Sequence, residues 1–277
     1  MNKSINLIIR KSKGLFRSNF IKKFHKSSNM SIIINSIPKS GTHLADQFIV
    51  GLNEINDFDY FISQQPTYPH ILRKEEKILK MCKKIKNGEL VRAHMHYSKM
   101  IEEFLMKNNI LMIFVFRDPR DVVISEANYL YDMNTLHSAH KFFKNIPSEE
   151  ERIKLSIKGI DSNRIDFKNC YGRFEPFLGW KNLALSNVLP VSFEEMRNNE
   201  KDVQSKIYYF LKKNNFFENQ ISYDKFIELT QKNIKSSNSH TFRTGKVNNW
   251  KRKFNDELSD LYNQYEKGIT EKMGYLK

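Results

Sequence analysis

A short run of small and basic residues, PKSGTHL at positions 38–44, follows the first apolar stretch of the sequence. The preceding residues 31–37 are rich in β-branched side chains, which is typical of a strand, and the pattern after Gly41 favours a helix. A tight turn between a strand and a helix N-terminus presents free backbone N–H groups that bind anions. The sequence therefore predicts a phosphate-binding loop centred on Lys39, Ser40, Gly41 and Thr42.

A histidine and an arginine follow two further predicted strands. Residues 89–94 (ELVRAH) would place His94 at the carboxyl end of a buried strand, and the apolar residues 111–116 are followed directly by Arg117. Ligands of doubly wound parallel sheets bind outside this edge of the strands. We therefore expect both side chains to lie near the loop at 38–44. His96 would lie on the same strand face as His94 and is the alternative candidate for the reactive histidine.

The elements that must position these residues indicate one α/β domain. We expect a mostly parallel sheet of about four or five strands flanked by helices, with an edge strand at 188–193 because of Pro190. Asp118, Pro119 and Asp121 predict a helix start after Arg117. The other helices are predicted at about 42–52, 75–86, 99–106, 201–213, 223–233 and 256–273. Residues 56–70 are predicted to form a loop, and residues 132–178 to line or cover a binding site.

The charge of the sequence is concentrated at its start. The formal net charge of the 277 residues is +15, and residues 1–45 contain no Asp or Glu. We interpret residues 1–30 as a basic arm that is either poorly ordered or an amphipathic helix on an anionic membrane surface. The charge also permits a nucleic-acid role, but no reader motif supports it, so we expect no nucleic-acid partner.

The compartment is inferred from the apolar runs and the cysteines. The longest apolar stretch is far too short to span a bilayer. With only Cys82 and Cys170 present, a disulfide framework is not expected, and a reducing cytoplasm is the natural location.

The loop at 38–44 differs from the Walker A pattern of kinases and ATPases because its Lys precedes the Gly. Together with two later segments, it resembles the PAPS-dependent sulfotransferases, whose donor is 3′-phosphoadenosine 5′-phosphosulfate (PAPS). The loop is similar to the PKSGTTW motif of that family. Residues 117–125 (RDPRDVVIS) are similar to RNPKDVAVS, and residues 243–251 (RTGKVNNWK) to RKGxxGDWK.

The resemblance implies a separate role for each of these residues. Lys39 would lie beside the bridging oxygen between phosphate and sulfate, and His94 would act as the catalytic base. Ser40, Gly41 and Thr42 would hold the 5′-phosphate, and Arg117 and Ser125 the 3′-phosphate. The donor site would also include three positions at which this sequence departs from the family residues, which are His43, Leu44 and Phe193. Three residues of the third motif would complete it, namely Arg243, Thr244 and Gly245. The resemblance requires no metal.

The resulting hypothesis is a sulfotransferase domain over residues 31–277. Its acceptor would be a small molecule, or a glycan or lipid-linked molecule, with a hydroxyl group. Two alternatives stay open: a nucleotide-dependent kinase with a related loop, and a non-catalytic scaffold that binds nucleotide or associates with a membrane.

Overall fold

The computed structural model describes residues 29–183, 186–217, 221–234 and 245–276. Within them, five strands form one sheet in the order β2-β3-β1-β4-β5. All four neighbouring pairs are parallel. The strands are β1 (Ser31–Ser36), β2 (Asn56–Ser63), β3 (Glu89–His94), β4 (Ile110–Phe116) and β5 (Val188–Ser192). The structure therefore confirms the α/β class, and β5 is the edge strand that Pro190 predicts.

The sheet separates two apolar layers because successive strand residues point to opposite faces. In β1, Ile33 packs with Met112 and Phe114 on one face. Ile32 and Ile34 pack with Leu111 on the other. Strands covered on both faces have the continuous apolar sequence that is typical of central parallel strands.

Helices cover both faces and connect the strands. The short helix α1 (Thr42–Ala45) follows the phosphate-binding loop predicted above, and α4 (Pro119–Asn128) follows β4 and continues into a π-helical turn at Tyr129–Met133. The remaining helices are α2 (Glu75–Cys82), α3 (Lys99–Lys107), α5 (His140–Lys144), α6 (Glu149–Lys158), α7 (Cys170–Phe174), α8 (Leu178–Asn182), α9 (Phe193–Asn198), α10 (Glu200–Lys213), α11 (Tyr223–Gln231), α12 (Trp250–Lys253), α13 (Asp256–Glu266) and α14 (Ile269–Lys272).

Side-chain caps fix the two helix starts that matter most for the site. Asp118 accepts a hydrogen bond from the backbone N–H of Arg120, and Pro119 occupies the first turn of α4, as predicted. Ser192 and Glu195 form a capping box at the start of α9. This cap sets the position of Phe193 directly after the last strand.

Three predictions of local structure were wrong. Residues 56–63 were predicted as a loop but form strand β2. The strand was missed because a register irregularity between Asp57 and Tyr60 breaks the alternating pattern by which a strand is recognised in sequence. The helix expected at 42–52 ends at Ala45 and gives way to a 3₁₀ turn at Asp46–Phe48. The helix expected at 256–273 is interrupted at Lys267 and Gly268, both of which have left-handed backbones.

Among the described residues, no helix is long and apolar enough to cross a membrane. The basic arm predicted at residues 1–30 lies outside the described part of the chain except for its last two residues.

Candidate active site

A cleft of about 960 Å³ opens at the carboxyl ends of the strands. The predicted site residues within the described part of the chain all line it, except Ser40, which is fully buried beneath it. The lining members of that set are Lys39, Gly41, Thr42, His43, Leu44, His94, Arg117, Ser125, Phe193 and Gly245. The sheet therefore brings together residues that are far apart in sequence.

The loop at 38–44 turns sharply between β1 and α1. Lys39 and Gly41 both have positive φ angles, 69° and 99°. The Ser40 side chain is fully buried, and its hydroxyl has no hydrogen-bond partner within the described part of the chain. The Lys39 ammonium lies 3.5 Å from the centroid of the Tyr129 ring, a cation–π contact that holds it over the cleft.

Gly41 is packed closely against Phe193 of α9. A Cβ atom at position 41 would lie 2.6 Å from Cδ2 of that ring, which is closer than carbon atoms approach. Only glycine fits here for two reasons: the backbone is left-handed, and the ring leaves no space for a side chain.

His94 ends β3 and faces the end of β1. Its Nδ1 atom lies 2.8 Å from the carbonyl oxygen of Ser36 and 3.1 Å from the Ser36 hydroxyl. A carbonyl oxygen only accepts, so Nδ1 carries the proton and donates it, leaving the lone pair on Nε2. The Ser36 hydroxyl is in turn 2.6 Å from that of Thr42. A continuous polar contact thus joins the phosphate-binding loop to His94.

The imidazole of His94 is held neutral. Burial is the main cause, and the nearby side chains of His43 and Lys39 add to it, so that its pKa is lowered to about 4; the hydrogen bond to Ser36 opposes this shift. A neutral ring with a free Nε2 lone pair can accept a proton from a bound hydroxyl.

His96 lines the same cleft and is also neutral. Its ring lies 4.9 Å from that of Phe177, and burial lowers its pKa to about 4. The charged groups near His96 are Lys168 and Asp166. His96 therefore differs from His94, whose neighbours belong to the phosphate-binding loop and the end of β1.

Arg117 connects the second and third sequence motifs. One terminal nitrogen of its guanidinium donates to Asp121 at 3.1 Å and to the carbonyl oxygen of Lys246 at 2.8 Å. The group lies over the Phe193 ring, 4.3 Å from its centroid. Its Nε–H is buried and has no partner within the described residues.

The C-terminal segment is attached to α4 at the same place. The backbone N–H of Trp250 donates to Asp121 at 2.9 Å. Burial raises the pKa of Asp121, and the charge of Arg117 opposes the shift. Gly245 lines the cleft, with a positive φ of 56°. The predicted contacts of Arg243 and Thr244 lie outside the described residues.

A buried ion cluster that sequence analysis missed lies next to the site. Arg92, two residues before His94, makes a bidentate pair with Asp57 at 2.8 and 2.9 Å, and its Nε–H donates to Asp46 of the 3₁₀ turn after α1. Asp46 also lies 3.6 Å from His43. The cluster ties β2, β3 and the turn after the phosphate-binding loop into one unit.

Two other contributors were missed for lack of a signal. Ser36 is an ordinary last residue of a strand, and Tyr129 is one of many aromatic residues. The sequence contained one clue for Tyr129: it stands four residues after Ser125, on the same helix face. Within the described residues, no group of His, Cys, Asp and Glu side chains could hold a metal ion.

Comparison with known proteins gives consistent results. The profile of a family described as "Sulfotransferase domain" matches residues 29–277. The chain is 24% identical to flavonol 3-sulfotransferase of Flaveria bidentis over 277 residues, covering 90% of this chain and 83% of that relative.

Two solved structures share the fold. A mouse sulfotransferase complexed with PAP has a TM-score of 0.58 and 20% identity, with coverage of 90% of this chain and 86% of that chain. Retinol dehydratase in complex with androsterone and inactive cofactor PAP has a TM-score of 0.57 and 14% identity, with coverage of 91% and 83%.

Proposed function

This chain belongs to the sulfotransferase family, and we propose on that premise that it transfers a sulfuryl group from PAPS to an acceptor hydroxyl. The observation that carries the proposal is that the cleft unites the loop at 38–44, His94 and Arg117. No single motif has this weight, because a short run of matching residues is weak evidence by itself.

The polar groups along the loop and α4 suit a nucleotide with two phosphate sites. Ser40 and Arg117 each keep a buried polar atom without a partner among the described residues. Buried polar groups need partners, so a phosphate oxygen that reached the Ser40 hydroxyl or the Arg117 Nε–H would supply the partner that each lacks among the described residues. Ser40, Gly41 and Thr42 would hold the 5′-phosphate, and Arg117 and Ser125 the 3′-phosphate. His43, Leu44 and Phe193 would line the nucleotide, together with Arg243, Thr244 and Gly245.

The reaction forms a bond between the acceptor oxygen and sulfur and breaks the bond between sulfur and the bridging phosphate oxygen. PAPS supplies the sulfuryl group. Nε2 of His94 would take the proton of the acceptor hydroxyl, and the Ser36 carbonyl would stabilise the resulting imidazolium through Nδ1–H. Lys39, held at Tyr129, would stabilise negative charge on the leaving phosphate oxygen.

The donor-binding part of this proposal is tested by titrating the full-length chain with PAP, the desulfated donor. We expect binding in the absence of divalent metal and at least about tenfold weaker binding in Arg117→Ala, because charged hydrogen bonds contribute about 1.5–3 kcal/mol. Arg120→Ala is the matched control, since that guanidinium bonds Asp118 and stacks on Trp250 instead. Absence of PAP binding would contradict the proposal.

The kinase alternative predicts a different donor. Turnover of ATP that depends on Mg²⁺, with no transfer of labelled sulfate from PAPS, would favour it.

The acceptor and the location are proposed more broadly. The relative named flavonol 3-sulfotransferase and the androsterone-bound neighbour support a small-molecule hydroxyl acceptor. Buried free cysteines, Cys82 and Cys170, support a reducing cytoplasm. Membrane contact through residues 1–30 is tested by vesicle co-sedimentation of the full chain against a variant with Lys11, Lys13, Lys22 and Lys23 changed to Glu. Equal sedimentation on anionic vesicles would contradict membrane contact by the arm.

A further inference from the structure

The large apolar side chains that the described residues leave exposed are concentrated at one place. Five of them belong to the segments that surround the mouth of the cleft beyond His94, and we call these five the apolar rim: Phe61, Tyr68, Ile71, Leu72 and Leu136. The others are Met100 and Met106 on α3, Tyr209 on α10, and Leu276 after α14. A concentration of exposed apolar groups on a monomer marks a binding surface.

The segments that carry the apolar rim are joined to one another. The backbone N–H of Ser138 donates to the carbonyl oxygen of Thr67 at 3.2 Å. The rings of His70 and His137 lie 4.4 Å apart. The 66–72 and 136–138 segments therefore form one wall of the cleft.

The exposure of these side chains is large. Tyr68 is 78% exposed, Leu136 is 70% exposed and Ile71 is 58% exposed. Phe61 and Leu72, less exposed, also line the cleft itself, so that the apolar rim continues from the outer surface to the opening. The Phe61 ring reaches to 5.0 Å from that of His94.

Polar side chains also line the cleft, next to apolar ones such as Leu130, Met133 and Phe177. The polar set is Gln64, Gln65, His70, Asn134 and His137. Gln64 is 7% exposed, and its side-chain oxygen has no hydrogen-bond partner within the described part of the chain. An unpaired buried acceptor at this position favours a ligand that brings donors, as hydroxyl groups do.

Two histidines of the cleft, His70 and His137, also favour a ligand with hydroxyl groups. Burial lowers the pKa of His70, and it lowers that of His137 to about 3. Nδ1 of His70 donates to the carbonyl oxygen of Pro66 at 3.1 Å, and Nδ1 of His137 accepts from the backbone N–H of Ala139 at 3.0 Å. Their Nε2 atoms are therefore one acceptor and one donor, a pair that complements hydroxyl groups.

Exposed apolar side chains at the mouth and an unpaired buried acceptor within the cleft together suit a ligand that has an apolar part and a hydroxylated part. We propose that the acceptor is an amphiphile, whose hydroxylated head group enters the cleft to reach His94 while its apolar tail lies on the apolar rim. The inference rests on the proposed function and names the acceptor class for it.

The test uses calorimetric titration of the full-length protein, with and without PAP, by alkyl glycosides below their micelle concentrations. The probes are methyl and octyl forms of a glucoside, a galactoside and a glucuronide, with 1-octanol as the compound without a head group. A fully buried methylene strengthens binding about fourfold. For the best head group, we therefore expect the octyl compound to bind at least about tenfold more tightly than the methyl compound, even if the tail is only partly covered.

Variants of the apolar rim show whether it provides the higher affinity of the octyl compound over the methyl compound. Ile71→Ser with Leu136→Ser should remove most of the octyl gain in affinity. Met106→Ser with Tyr209→Ser, which are 50% and 60% exposed and lie elsewhere, should leave it unchanged. Equal binding of methyl and octyl compounds, absence of binding by every octyl glycoside, binding of octanol as tight as that of the glycosides, or a gain that survives the first pair of changes would each overturn the proposal. Normal PAP binding alongside such a result would leave the proposed sulfuryl donor intact, whereas loss of PAP binding would count against the proposed function itself.

Discussion

The Nδ1 atom of His94 lies 2.8 Å from the carbonyl oxygen of Ser36, which belongs to the neighbouring strand β1. Two parallel strands thus end at the same level and orient one imidazole. The acceptor in this contact is a backbone atom, so the orientation of His94 depends on the register of the sheet and not on the identity of residue 36.

We expect His94→Ala to keep its affinity for PAP and to lose transfer by roughly 10²- to 10⁴-fold, because the proton acceptor is removed. The measurement is sulfate transfer from labelled PAPS, with PAP titration as the binding control. His96→Ala, two residues beyond the end of β3, should retain much more of the transfer rate. If His96→Ala is the inactive variant and His94→Ala is active, the assignment of the base is wrong.

Gly41→Ala should destabilise the fold and weaken nucleotide binding. The left-handed backbone alone costs about 1 kcal/mol for alanine. Contact with Phe193 adds about 1–3 kcal/mol, since that ring is held under Arg117 and cannot move freely.

Gly268→Ala isolates the backbone part of this effect. Position 268 also has a positive φ, but a Cβ atom there would have nothing within 4 Å. Urea denaturation should therefore show a loss of about 1 kcal/mol for Gly268→Ala and a larger loss for Gly41→Ala. Equal losses would mean that the contact with Phe193 has no energetic effect.

Arg92→Ala should lower the free energy of unfolding by about 3–5 kcal/mol, because the carboxylates of Asp46 and Asp57 would stay behind in a largely buried cluster. The exposed pair Lys225–Glu228 is the comparison, with side chains that are 50% and 68% exposed. Lys225→Ala should cost less than about 1 kcal/mol. Similar losses in the two variants, measured by urea denaturation, would argue against a stabilising role of the cluster.

Acid should destabilise the protein over a defined range. The pKa values of His94 and His96 are lowered to about 4 from an ordinary 6.5. The unfolded chain therefore binds more protons than the folded chain as pH falls from 6.5 to about 4, and the free energy of unfolding falls with pH in that range. Each such histidine contributes at most about 1.4 kcal/mol per pH unit.

Raised pKa values at Asp121 and Glu194 act in the opposite direction, because the folded chain then binds the extra protons. A variant comparison separates the two effects. His137→Gln removes a ring whose pKa is lowered to about 3, so its stability should fall less steeply between pH 6.5 and 4 than that of the unchanged protein. Parallel curves would show that His137 does not titrate as its burial implies.

Sequence periodicity predicted the elements in which packing and local chemistry agree. The central strands β3 and β4 have apolar sequences, and Asp118 with Pro119 marks the start of α4, so these parts were predicted almost to the residue. Strand β2 was missed because its edge position and irregular register remove the apolar pattern. The left-handed pair at Lys267 and Gly268 was missed because one glycine within a helical pattern does not by itself show a break.

The predicted site residues came from ordered motifs, and the fold brings those within the described part of the chain, except Ser40, to one cleft. The missed contributors act through geometry that has no sequence pattern. Ser36 contributes a backbone carbonyl, which every residue possesses, and the Arg92 cluster joins residues from three elements. The polarity of the cleft depends on which loops meet at its mouth, so it could be read only from the structure.

The strand order β2-β3-β1-β4-β5 also has an evolutionary consequence. On the proposed assignment, donor contacts come from the β1 loop, the end of β4 and α9, whereas acceptor contacts come from the segments after β2 and from residues 132–138. Mutations on the β2 side can therefore change the molecules that are sulfated without touching the nucleotide contacts. On this assignment, substitutions can alter acceptor choice while the donor remains the same.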